Sequence, residues 1–129
     1  MSWENGKWIE YGVSDLVGKT LTNIEQKEDE ELIFTLEDGT QFKLYHDQSC
    51  CEHVYLADVT GEFADLIGSP ITMAEEVESK QGSHENNYGD SETWTFYKFA
   101  TVKGYVTLRW IGSSNGYYSE SVDFEKVTN

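Results

Sequence analysis

Apolar and polar residues alternate along much of the chain. A period of two puts one face of a strand in a core and the other in water. Glu31–Leu36 and Thr40–Tyr45 show it most plainly. Between them, Glu37-Asp38-Gly39 suits a three-residue hairpin loop, a type I turn followed by a left-handed glycine. That loop sets Phe34 opposite Phe42 and Leu32 opposite Leu44, so both strands are apolar on one face. A second hairpin is expected from Val106–Ser113 to Tyr117–Phe124 through Ser114-Asn115-Gly116, with Leu108 opposite Val122 and Val106 opposite Phe124. A third joins Thr93–Val102 to Tyr105–Gly112 through Lys103-Gly104. It sets Phe99 opposite Leu108, Tyr97 opposite Trp110 and Lys98 opposite Arg109. Residues 93–125 then form a three-stranded meander, with Phe99, Leu108, Trp110, Val122 and Phe124 in its core.

One phrase occurs twice. Residues 15–22 read DLVGKTLT and residues 65–72 read DLIGSPIT. In each, a short helical turn is expected to stop at a glycine, Gly18 or Gly68, the first capped by Ser14. A strand follows, Leu21–Lys27 or Ile71–Glu78. The chain thus reads either as two half-repeats, 14–58 and 63–125, or as one domain that uses a helix-stop phrase twice. Both give the same fold class: a single α+β domain over 1–129, mostly antiparallel β, with about eight strands and two short helices. Ser79–Glu92 is a long polar stretch, either a surface insertion or a functional loop.

Composition narrows the function. Eighteen aromatic residues (eight Tyr, six Phe, four Trp) in 129 can build a core, so global disorder is excluded. The formal net charge is −15. Residues 1–65 hold 15 acids against 4 bases, so the first half carries most of it. Such a chain repels nucleic-acid phosphates and anionic membranes, and attracts a basic protein partner. No stretch is apolar for long enough to cross a membrane as a helix, and the N-terminus lacks a secretory signal, so a cytoplasmic setting with reduced cysteines is expected.

Four stretches bear candidate chemistry. Residues 45–53, YHDQSCCEH, gather His46, Asp47, Cys50, Cys51, Glu52 and His53. Strand alternation separates these groups and adjacent cysteines lack zinc-chelate spacing, so no metal or cofactor is expected. The favoured reading is a buried thiol near a hydrogen-bonded His46. Lys98 and Arg109, with Ser119 and Ser121 on the same face, form a candidate anion site. The competing reading pairs Arg109 with Asp123 inside the sheet. Gly112–Ser121 offers Tyr117 and Tyr118 as contact residues. The acidic stretch 25–38 offers Glu28, Asp29, Glu30 and Glu31 as a partner-binding surface. It lacks the spacing of a calcium loop. No nucleophile with a base in reach is legible, and no enzyme is expected.

The phrases YHDQSCCEHVYLADVTGEFADLIGSPITMAEE and TWTFYKFATVKGYVTLRWIGSSNGYYSESVDF resemble an uncharacterised family of small phage and prophage proteins, over roughly Leu16 to Phe124. The resemblance implies a phage gene expressed in a bacterial cytoplasm and assigns no activity or residue. Phage accessory proteins of this size bind and block host proteins, so the leading expectation is non-catalytic binding of a host protein through the acidic surface. The second is a small, nucleotide-like anionic ligand at Lys98 and Arg109.

Overall fold

The computed structural model describes residues 2–4, 6–9, 11–46, 52–80, 91–114 and 122–127. A short hairpin of β1 (Ser2–Glu4) and β2 (Lys7–Ile9) precedes the main body. The rest is antiparallel β: β3 (Leu21–Lys27), β4 (Glu31–Leu36), β5 (Gln41–Tyr45), β6 (His53–Thr60), β7 (Met73–Lys80), β8 (Ser91–Thr101), β9 (Gly104–Ser114) and β10 (Asp123–Lys126). They form two four-stranded sheets, ordered β10-β5-β4-β3 and β6-β9-β8-β7. The sheets stack on their apolar faces. Phe34 of one lies 5.6 Å from Phe99 of the other, and within the first sheet Phe42 stacks on Phe124 of the neighbouring strand at 5.1 Å. Phe34, Phe42, Leu44, Phe99, Leu108, Trp110 and Phe124 are buried as the alternation requires, while Val122 is half-buried.

The β4–β5 hairpin has the expected register, Phe34 opposite Phe42 and Leu32 opposite Leu44. Its Gly39 has φ +90°, the left-handed conformation the loop demands. Three other expectations change. The two helices are single 3-10 turns, Val13–Leu16 and Phe63–Leu66. Ser14 does not cap the first: the Asp15 carboxylate reaches back to the Gly12 N–H at 2.8 Å. The expected pairing of Leu108 with Val122 and of Val106 with Phe124 does not form. The edge of β9 away from β8 is taken by β6, so β10 crosses to the other sheet and sets Phe124 opposite Leu44.

The third correction is one of register. The β8–β9 turn is Val102-Lys103, with Thr101 opposite Gly104. The second 3-10 turn clamps it there. The Lys103 ammonium donates to the Ile67 carbonyl at 2.6 Å, and the Thr101 hydroxyl donates to the Asp65 carbonyl. Gly104 sits so close to Asp65 that a Cβ would come within 3.0 Å of its carboxylate. The shift is two residues, so faces are kept and partners change. Tyr97 faces Leu108, and Thr95 faces Trp110.

The repeated phrase meets its own copy. Val17 bridges Ile71 and Leu21 bridges Ile67, both parallel. Gly18 N–H donates to the Ile71 carbonyl at 2.8 Å, and Gly68 N–H to the Leu21 carbonyl at 2.9 Å. The two glycines have φ of +86° and +87°. After each turn runs a three-stranded meander, then a fourth strand that joins the other sheet: β6 completes β7-β8-β9, and β10 completes β3-β4-β5.

Candidate functional site

The β5–β6 junction brings the first cluster together. His46 continues the inner-face parity of Phe42 and Leu44. Its Nε2 lies 2.9 Å from Oε2 of Glu52, which immediately precedes β6. The side chains are only 4% and 0% exposed, so the pair acts as a buried latch between the end of β5 and the start of β6. Asp47, Cys50 and Cys51 lie outside the described residues. His53, on the opposite parity, is exposed and stacks on Tyr55 at 4.7 Å. Among the described residues no group of three His, Cys, Asp or Glu could hold a metal ion.

Beside the latch is a cleft of about 410 Å³, lined by Asp29, Glu30, His46, Glu52, His53, Val54 and Tyr55. The β3–β4 turn supplies its acidic rim. That turn is held by backbone chemistry. Leu56 N–H of β6 donates to the Asp29 carbonyl at 2.7 Å, and the Gln26 side-chain amide donates to the Glu28 carbonyl at 2.8 Å. Glu28 has φ +54°, which non-glycine residues adopt only where neighbours enforce it. Glu28, Asp29 and Glu30 are exposed and Glu31 is half-buried. The acids thus stand on a fixed turn at the mouth of a cleft.

Lys98 and Arg109 share the outer face of the second sheet, as expected, but are not opposite each other. Lys98 faces Thr107, and Arg109 faces Phe96 on one side and Asp58 on the other. Asp123 is in the other sheet, opposite Tyr45, so the expected Asp123–Arg109 pair does not form. Among the described residues neither cation makes an ion pair. The Arg109 guanidinium lies 5.2 Å from the centre of the Trp94 ring, and its Nε is buried without a hydrogen-bond partner. Tyr117, Tyr118, Ser119 and Ser121 lie outside the described residues, as do Gly116 and most of the 79–92 loop.

The sequence reading missed a third feature. On the inner face of the second sheet, Thr95 Oγ1, Tyr97 OH and Trp110 Nε1 are buried without hydrogen-bond partners. These residues read as ordinary core positions, because alternation reports which face a side chain takes and not whether its polar atom is satisfied. Burial, followed by the Glu76 carboxylate opposite it, raises the Tyr97 hydroxyl far above the ordinary tyrosine range. Glu76 is raised as well, first by burial. The hydroxyl feels that carboxylate but makes no hydrogen bond of normal geometry to it.

No helix among the described residues is long and apolar enough to cross a membrane. No curated protein and no solved structure matches the chain. One family model does, over residues 14–124, which takes in every strand of both sheets except the last two residues of β10. The chain therefore belongs to the domain family of unknown function DUF7448.

Proposed function

We propose that this protein is a non-catalytic binding protein that engages a basic protein partner through its acidic surface. One observation carries the reading: Glu28, Asp29 and Glu30 stand exposed on a turn pinned to β6 beside the cleft. A fixed acidic rim on a chain of net charge −15 steers a cationic partner and holds its own geometry on binding. The setting proposed, a phage accessory protein acting on a host factor in the bacterial cytoplasm, rests on the sequence resemblance alone. The test is affinity capture from host lysate, repeated with Glu28, Asp29, Glu30 and Glu31 changed to their amides. Capture of a basic protein by the parent and not by the variant supports the reading. Equal capture by both refutes it.

A second reading, a small anionic ligand at Lys98 and Arg109, is favoured by the missing carboxylate on Arg109. It expects inorganic phosphate or a nucleotide to raise the Tm of the parent and not of Arg109→Gln. The twofold match of the two turns, each with its meander and exchanged fourth strand, supports reading 14–58 and 63–125 as duplicated units.

A further inference from the structure

The two sheets present unlike faces to solvent. Across the first sheet one rung reads Lys27–Glu31–Tyr45–Asp123 and the next Glu25–Ile33–Lys43–Glu125. These are the charged rungs of a face that water covers. Across the second sheet the corresponding rungs read Ser79–Trp94–Ile111–Tyr55 and Val77–Phe96–Arg109–Asp58. Trp94, Phe96, Ile111 and Tyr55 are each half-buried, and Val77 is 44% exposed. Arg109, on a central strand, is the chain's only arginine.

The composition is that of an interface centre: aromatic and aliphatic area around one arginine, with charge at the rim. The electrostatics select the occupant. Arg109 is held over Trp94, whose indole N–H is fixed by the Glu92 carboxylate. The guanidinium makes no ion pair among the described residues, although Asp58 is its neighbour across the sheet. A planar guanidinium held in place and outside any ion pair among the described residues matches a carboxylate. The apolar residues around it match apolar side chains flanking that carboxylate, which a free anion does not carry. We propose that the outer face of the β6-β9-β8-β7 sheet docks a segment of another protein in which an Asp, Glu or C-terminal carboxylate seats on Arg109 and neighbouring apolar side chains cover Trp94, Phe96 and Ile111. The proposal deepens the second reading above by naming what carries the anion.

The test uses the full chain against a random displayed peptide library. Enriched sequences should place an acidic residue or free C-terminus beside aromatic or branched aliphatic residues. Their affinity should fall by about tenfold or more in Arg109→Gln, the loss expected for an interface anchor. Val77→Glu sets a competing carboxylate beside the face without touching Arg109, and should weaken binding while leaving Tm unchanged. A single arginine gives a single guanidinium Nε–H signal in a nitrogen–proton correlation spectrum. That signal should move with a selected peptide and stay still with its amide counterpart, with acetate and with inorganic phosphate. Movement with acetate or phosphate alone overturns the docking proposal and leaves the free-anion reading standing. A library with no binder that distinguishes parent from Arg109→Gln overturns the docking proposal, and a signal unmoved by any of these probes overturns both.

Discussion

Tyr97→Phe should leave the protein as stable as the parent or more stable, the reverse of most core substitutions. The tyrosine is 0% exposed and its hydroxyl has no hydrogen-bond partner. Burying such a hydroxyl costs about 1–3 kcal/mol, and deleting it returns that cost without opening a cavity, since the ring remains. The nearby Glu76 carboxylate offsets part of the cost, so a gain of roughly 0–2 kcal/mol is expected at neutral pH. For a chain of this length each kcal/mol moves Tm by roughly 3–5 °C. The pH dependence carries the same signature. The folded protein holds the Tyr97 hydroxyl above its unfolded value, and below the ordinary tyrosine range it is protonated in both states. The parent therefore loses stability as pH climbs above about 10, where the unfolded chain ionises first. Tyr97→Phe lacks this component, so its advantage over the parent should widen in alkali. Urea unfolding followed by tryptophan fluorescence, at pH 7 and in alkaline buffer, reads both effects. A variant destabilised by more than about 1 kcal/mol at neutral pH would show that the hydroxyl makes a favourable bond in the folded state and refute the reasoning.

Three further outcomes are expected. Leu108→Ala, at a site 1% exposed between the sheets, should cost about 2–5 kcal/mol in the same urea assay; a loss below 1 kcal/mol would place Leu108 outside the core. Glu52→Ala takes the carboxylate away from the buried His46 imidazole and should cost about 1–3 kcal/mol, whereas substituting the exposed Glu62 changes the urea midpoint little. Gly39→Ala should cost about 1 kcal/mol, because a methyl finds open space there and only the left-handed φ of +90° opposes it; a neutral melting curve would mean that the loop can relax.

Alternation in the sequence determined which face of each strand is buried. A side chain's face depends only on its parity, and a register error of two residues preserves parity. The core residues were therefore legible even where the β8–β9 partners were not. The Glu37-Asp38-Gly39 loop was legible for a similar reason, since the turn's backbone requirement is written in three adjacent residues. The doubled Asp-Leu-x-Gly phrase marked two stops that the structure pairs with each other. Tertiary structure decided what depends on competition between distant segments. The free edge of β9 went to β6, which precedes it by some fifty residues, and that sent β10 and Asp123 to the other sheet. Contacts of Asp65 and Ile67 with the Val102-Lys103 turn set the register that separates Lys98 from Arg109. The unpaired guanidinium over Trp94, and the three unsatisfied polar atoms inside the sandwich, follow from those long-range choices. No local pattern records them, because hydrogen-bond satisfaction is a property of neighbours in space and not of neighbours in the chain.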